Sequence, residues 1–279
     1  MQDWMKNFQN KTILELTIPG SHDSFAYSFH VDEKAVQPEY TALPKILNCA
    51  ILRWCTTQHI TIRQQLDAGV RYFDFRIYQE GEKYFTLHAL KSIELNILLV
   101  QIRNFIELYP TEKVIIDINH LYNVTSIRDL KDYVNSYLGI ENILECNSIN
   151  FSKPLLALTG SYFVNYNNTS KIYSFWPNRD NFNDCVARYN SVGLRCLESH
   201  SNILNVMQCI LTVKESKIVL GTVFPCLFDN SLEEMNDVAK PKFKDYVQNL
   251  LQTRRLNIVL LDFIEENDSF VNMLIDSNK

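Results

Sequence analysis

Glycine is scarce in this sequence, with 7 residues among 279, and the common metal-binding motifs are missing. There is no C-x-x-C or H-E-x-x-H pattern, which argues against a structural zinc or a zincin site. No run of 18 apolar residues occurs, so no transmembrane segment is expected. The start, MQDWMKNFQNK, lacks the apolar core of a signal peptide. These absences predict a cytoplasmic protein, with at most transient membrane association.

A surplus of basic residues is also missing. The chain has 27 Lys and Arg against 32 Asp and Glu, a formal net charge of −5, so no nucleic-acid partner is expected. What is present is a large apolar fraction, 46% hydrophobic and 12% aromatic, which is typical of a packed globule. No linker or low-complexity stretch divides the chain, and a single domain over residues 1–279 is predicted.

Strand-like and helix-like patterns alternate along the chain. The predicted strands are 13–18, 70–77, 84–88, 113–118, 155–159, 171–175, 205–211 and 257–263. The predicted helices are 61–68, 93–108, 126–138, 182–190 and 241–254. Eight strands alternating with helices favour an α/β fold, a distorted or incomplete parallel (β/α)8 barrel. An open doubly wound sheet is the alternative, but its glycine-rich dinucleotide turn is missing.

Polar side chains gather where the predicted strands end. In a β/α barrel the carboxyl ends of the strands share one rim, where catalytic residues lie. Three His, four Asp and one Arg would meet there: His22, His88, His120, Asp23, Asp74, Asp117, Asp262 and Arg76.

This set of residues suits phosphodiester cleavage. Two histidines can serve as general base and general acid near neutral pH, and Asp23 and Asp262 could orient them and stabilise their charged forms. Arg76 offers a planar donor fork for a phosphate that gains charge during displacement. These parts do not require a metal, and they do not identify a substrate.

Four motifs, PGSHDS, QLDAGVRYFDFRI, LHAL and VIIDINHLY, occur in this order. Together they resemble the X domain of phosphatidylinositol-specific phospholipases C, above all the small proteins that contain little else. SFWPN, VMQCILT and NIVLLDF extend the resemblance from about Trp4 to about Asp268. It implies a distorted β/α barrel that acts on phosphatidylinositol-type lipids at a membrane surface, without a cofactor.

The resemblance also implies roles for individual residues. His22, supported by Asp262, would deprotonate the inositol 2-hydroxyl, which attacks phosphorus. His88, held by Asp23, would protonate the departing glycerol oxygen, and Arg76 would stabilise the charge on phosphorus. Diacylglycerol and inositol 1,2-cyclic phosphate would be the products. Substrate-binding positions would be Asn119, Trp176 and Gln208.

Departures from the family pattern point to particular positions. The family usually has His-Gly where this chain has His88-Ala89. Because alanine tolerates positive φ poorly, a positive φ there would displace His88 and lower activity.

Gly20 is expected to allow a tight turn that points His22 into the barrel mouth. His120 follows Asn119 directly and is expected on the opposite face of the strand.

Two rival functions remain open. The first is a metal-dependent relative, a glycerophosphodiesterase, a sphingomyelinase-D-like enzyme or a calcium-dependent form of the same fold, with Asp74 and Asp117 as oxygen ligands. Calcium-dependent members carry Asn in place of Asp23 and an acidic residue in place of Arg76, which favours the metal-independent form here. The second rival is a catalytically weak X domain that binds lipid head groups.

Overall fold

The computed structural model describes residues 2–38, 45–145, 149–166, 171–223 and 229–279. Its strands are β1 (Ile18–Ser21), β2 (Tyr72–Glu80), β3 (Lys83–His88), β4 (Leu90–Glu94), β5 (Val114–Tyr122), β6 (Ile143–Glu145), β7 (Tyr162–Tyr166), β8 (Ile172–Phe175), β9 (Leu204–Cys209) and β10 (Ile258–Leu261). Its helices are α1 (Asn48–Cys55), α2 (Ile62–Ala68), α3 (Leu95–Leu108), α4 (Ile127–Leu138), α5 (Phe182–Arg188), α6 (Leu194–Ser199), α7 (Glu215–Val223), α8 (Leu232–Leu251) and α9 (Ser269–Asp276).

Eight parallel strands form one curled sheet in the order β6-β7-β5-β2-β1-β10-β9-β8. Within the described ranges β6 and β8 do not pair, so the barrel is incomplete. This architecture confirms the predicted fold class. The apolar core joins residues from Trp4 to Ile275, while the limits of the single domain stay a prediction.

Two of the predicted barrel strands were wrong. Residues 84–88 do form β3, but β3 runs antiparallel to β2 and belongs to a hairpin that extends that strand. Leu155–Ala157 form a short 3-10 helix, and Leu156 is 61% exposed. The other two parallel strands of the sheet are β6 and β7, which the hydrophobic pattern did not reveal.

The first and last elements also differ from the prediction. Ile13–Glu15 form a 3-10 helix and the strand begins only at Ile18. The helix predicted over 241–254 begins nine residues earlier, where the Ser231 side chain accepts from the backbone N–H of Glu234. Pro241 therefore lies inside α8, although proline usually breaks a helix interior.

Gly20 is needed for space and makes no turn. It lies inside β1, and its φ is not among the positive ones. A Cβ atom there would come within 2.9 Å of Tyr72 Cδ1 and 3.2 Å of Leu260 Cδ1. A side chain would push β1 away from its neighbours β2 and β10, so the turn expected at Gly20 is corrected to a close approach of strands.

No helix in the described ranges combines the length and the apolarity needed to cross a bilayer.

Candidate active site

The predicted catalytic side chains meet at one end of the barrel. His22 and Asp23 follow β1, Arg76 lies in β2, His88 ends β3 and Asp262 follows β10. His22, Arg76 and His88 line a cavity of about 510 Å3. A neighbouring cavity of about 440 Å3 reaches into the barrel. Asp74, Asn119, His120, Trp176 and Gln208 line both cavities.

The His22 ring is held from both sides. Its Nδ1 lies 2.8 Å from Asp262 Oδ1, and its Nε2 lies 3.3 Å from Asp23 Oδ2. Thr57 and Gln58 donate side-chain hydrogen bonds to the His22 carbonyl at 3.1 and 3.0 Å. These two residues, which sequence reasoning missed, fix the backbone from which the ring projects.

Asp23 is fully buried at the centre of the charge cluster. Its Oδ1 lies 2.7 Å from Arg76 Nε, and its φ of +36° is in the left-handed region that favours glycine. Arg76 is 20% exposed, and its Nη2 lies 3.5 Å from His22 Nε2. The guanidinium therefore joins the buried carboxylate to the open cavity.

His88 faces His22 across the cavity, with ring centroids 6.4 Å apart. Its Nδ1 lies 2.7 Å from the Cys55 carbonyl and 3.4 Å from Asp23 Oδ2. The carbonyl is thus its nearer partner, and Asp23 is shared between the two histidines. Ala89 does have a positive φ, +58°, and His88 lines the cavity; the lower activity expected from this alanine stays a prediction.

A bulge in β5 places Asn119 and His120 together. The register against β2 pairs Phe75 with Ile118 but Arg76 with His120, so Asn119 is the extra residue. Both side chains line the cavity, and His120 Nδ1 contacts Asn119 Oδ1. The expectation that His120 turns to the opposite face was therefore wrong, because a bulge breaks strict alternation.

The two carboxylates named as possible metal ligands have different surroundings. Asn119 donates to Asp74 Oδ1. Asp117 is buried, and its two oxygens accept from the Tyr72 hydroxyl at 2.6 Å and from Asn165 Nδ2 at 2.5 Å. Asp117 is thus engaged inside the barrel.

Trp176 and Gln208 lie on the far wall of the cavity. Trp176 is 50% exposed, and its Nε1 donates to Thr212 Oγ1 at 2.8 Å. Gln208 Nε2 donates to Ser174 Oγ at 2.8 Å. Both predicted binding residues therefore line the cavity.

Electrostatics separates the two histidines. Burial lowers the pKa of His22, but the carboxylates of Asp23 and Asp262 outweigh it and raise the pKa to about 9. Burial, with the positive charges of Arg76 and His22, lowers the pKa of His88 to about 4 despite Asp23. At neutral pH one of the two rings is therefore protonated, and that ring is His22.

The pKa values of two buried carboxylates in the site are also shifted in opposite directions. Burial favours the neutral form of Asp23, but the positive charges of Arg76 and the neighbouring histidines together outweigh it and hold the pKa below its usual range. Burial and the nearby Asp23 charge raise the pKa of Asp74 to about 7.

A divalent cation fits these residues poorly. Among the described residues, His22, Asp23 and Asp74 have ligand atoms within 4.8 Å of one another, but Arg76 lies against Asp23. Calcium takes six to eight oxygen ligands, and the alternative ligand Asp117 is already hydrogen-bonded through both oxygens.

Comparison with known proteins confirms the resemblance to PI-PLC X domain-containing proteins. The chain is 36% identical over 135 residues to PI-PLC X domain-containing protein 2 of Homo sapiens, covering 43% of this chain and 44% of that protein. It thus spans under half the length of the curated relatives that it matches first. The variant-surface-glycoprotein phospholipase C of Trypanosoma brucei brucei is 23% identical over 95% of this chain and 88% of its own length.

Solved structures share the fold. The phosphatidylinositol-specific phospholipase C from Listeria monocytogenes superposes with a TM-score of 0.72 at 16% identity, covering 100% of this chain and 98% of that chain. No family model matches the sequence.

Proposed function

We propose that the protein cleaves the phosphodiester of phosphatidylinositol-type lipids by acid–base catalysis between His22 and His88, and releases diacylglycerol. One observation carries the proposal. The two imidazoles lie across one cavity from each other, with ring centroids 6.4 Å apart, around the ion pair of buried Asp23 with Arg76. The relatives in the comparisons that are phospholipases C support the same activity.

The reaction follows from the contacts of each ring. His22, whose Nδ1 is held by Asp262, takes the proton of the inositol 2-hydroxyl at Nε2. The hydroxyl oxygen forms a bond to phosphorus, and the bond from phosphorus to the glycerol oxygen breaks. His88, whose Nδ1 is held by the Cys55 carbonyl, gives a proton from Nε2 to that oxygen. The products are diacylglycerol and inositol 1,2-cyclic phosphate.

The productive arrangement needs the shared proton on His88, whereas the free site holds it on His22. Both arrangements contain one proton, so the ratio between them does not depend on pH. A phosphate anion bound against His88 stabilises the charged form of that ring. Activity is then expected wherever the pair holds one proton.

Arg76 supplies the fixed positive charge for phosphorus. Its guanidinium reaches the cavity from its contact with Asp23 and can donate two parallel hydrogen bonds to the phosphate oxygens. We propose that it replaces a calcium ion in this role, and that the reaction is metal-independent.

The apolar side of the cavity favours a lipid as the leaving group. Ile51 and Trp54 of α1 line the cavity, and α1 also carries the Cys55 carbonyl that holds His88. Ile210 and Leu211, after β9, extend the apolar wall. The glycerol oxygen that His88 protonates would thus depart beside apolar side chains, and action at a membrane surface follows.

The test is an assay of the purified full chain on vesicles that contain phosphatidylinositol, phosphorylated inositides or lysophospholipids, with and without EDTA. Phosphorus NMR of early samples should show inositol 1,2-cyclic phosphate before the open monophosphate. Substrate methylated at the 2-hydroxyl should bind without reacting.

Each rival gives a different result in that assay. Free choline or a lipid phosphate among the products would identify the sphingomyelinase-D-like alternative. Complete loss of turnover in EDTA that calcium restores would identify the metal-dependent form. Vesicle binding without turnover would identify a binding domain, and any of these results contradicts the proposal.

A further inference from the structure

The tip between β3 and β4 consists of one residue in an unfavourable conformation. His88 ends β3, Leu90 begins β4, and the two are paired across the tip. Ala89 between them has a φ of +58° and is 3% exposed. A residue with a Cβ atom rarely adopts this conformation unless its surroundings impose it.

Gln37 imposes it. The side-chain Oε1 of Gln37 accepts a hydrogen bond from the Ala89 N–H at 2.7 Å. The backbone N–H of Gln37 donates to the Ala89 carbonyl at 3.4 Å. Gln37 is only 9% exposed, so water cannot easily replace the short bond to the buried N–H.

The segment that carries Gln37 is itself tied to neighbouring elements. The His30 N–H donates to the Lys91 carbonyl at 2.8 Å, just beyond the tip. Asn48 Nδ2 donates to the carbonyls of Val31 and Glu33 at 2.8 and 2.7 Å. Gln37 therefore belongs to a segment that hydrogen bonds to neighbouring elements hold in place.

We propose that Gln37 is a positioning residue for His88, which acts by holding Ala89 in the left-handed conformation. The inference rests on the proposed function, because it assigns Gln37 to the same acid–base pair. Without the glutamine, the Ala89 N–H is buried and unpaired, and the tip relaxes towards negative φ. The end of β3 then moves, and His88 Nδ1 loses its 2.7 Å contact with the Cys55 carbonyl.

Three variants separate positioning from packing. Gln37→Met keeps the length but removes the acceptor, and it should lower kcat on phosphatidylinositol vesicles by about 10- to 100-fold, with KM within about twofold. Gln37→Glu keeps an acceptor oxygen and should retain most of the turnover. Adding Ala89→Gly to Gln37→Met should restore kcat to within about threefold, because glycine adopts positive φ without a clamp.

A second measurement does not depend on turnover. The imidazole resonances of His88, followed by NMR over a pH titration, should show a higher pKa in Gln37→Met, since the ring becomes more exposed. Ala89→Gly in the same chain should return the pKa to its wild-type value. A wild type without turnover would contradict the proposed function, while the NMR titration would still test the clamp. An unchanged His88 titration in Gln37→Met, or no rescue by Ala89→Gly, would overturn this inference.

Discussion

Two arginine–carboxylate pairs bound the part of β2 that lies inside the barrel, and they differ in what surrounds them. Arg71 lies just before the strand and Arg76 near its middle, beyond which β2 continues in the hairpin with β3. At the lower end, just before the strand, Arg71 Nε donates to Glu112 Oε2 at 2.7 Å, and both side chains are fully buried. The remaining guanidinium nitrogens donate to the carbonyls of Leu66, Val70 and Gln2. This pair is closed, since its nitrogens are all occupied by protein acceptors.

At the upper end the pair of Asp23 and Arg76 is open. Asp23 is buried, but Arg76 is one-fifth exposed and faces the cavity. The backbone at Asp23 is strained, with a φ of +36°, and two histidines lie within 3.4 Å of its carboxylate. A similar ion pair thus serves stability where protein acceptors surround its arginine, and can serve chemistry where its arginine faces a cavity.

The comparison is tested most severely at His22. His22→Ala removes the proposed base and should lower turnover on phosphatidylinositol vesicles by about 10⁴-fold, because its ring points into the cavity. The fold should stay intact, but the thermal unfolding midpoint should fall, because buried Asp262 loses the ring as its partner. His200→Ala is the matched control, because that ring stacks on Tyr173 away from the cavity; near-normal turnover in His22→Ala would contradict the assignment.

The second prediction exchanges the two arginines. Arg76→Ala should lower turnover by about 10²-fold and lower the free energy of unfolding by less than Arg71→Ala does, because Asp23 keeps a cationic His22 as a partner. Arg71→Ala should lower the free energy of unfolding by about 3–5 kcal/mol, since it leaves Glu112 buried and unpaired. Denaturant titrations and vesicle assays of both variants make the measurement.

A chelator sharpens the same comparison. If Arg76 supplies the charge at phosphorus, wild-type turnover should persist in excess EDTA.

Equal loss of stability in the two arginine variants, or equal loss of turnover, would contradict the division of β2 into a closed and an open end.

The sequence predicted that His22, His88, Arg76 and Asp262 meet at the barrel rim, because each follows or lies in a strong strand pattern with a distinctive motif. It did not predict that β3 is antiparallel, although Gly81 has a φ of +61° in the short connection from β2 to β3. A glycine between two apolar runs was a readable hairpin signal there. The run at 155–159 misled because apolar composition alone does not determine burial.

Other parts of the site could not be predicted from local sequence. The bulge at Asn119 arises from the register between β5 and β2, which no spacing along β5 alone reveals. Gln37 and Gln58 act across 52 and 36 residues of chain, and glutamine has no motif that marks such a role. Contacts of this kind depend on how the loop between β1 and α2 packs over the barrel end.

The smallest expected effect is a shift in the pH profile. Below about pH 4 both histidines are protonated and no base remains, and above about pH 9 both are neutral and no acid remains. In the wild type, kcat/KM should therefore be high between these limits and fall on either side. Asp262 is one of the two carboxylates that raise the pKa of His22.

Asp262→Asn removes that charge but leaves an amide oxygen that can still accept from His22 Nδ1. The pKa of His22 should fall, so the alkaline limb of kcat/KM should move to lower pH by about one unit, while the acid limb near the pKa of His88 stays in place. The loss of turnover at the optimum should be smaller than in His22→Ala, because the proton acceptor remains. A profile of kcat/KM from about pH 3.5 to about pH 10 measures both limbs. Movement of the acid limb instead would mean that Asp262 acts mainly on His88. The assignment of Asp262 as the partner of His22 would then be wrong.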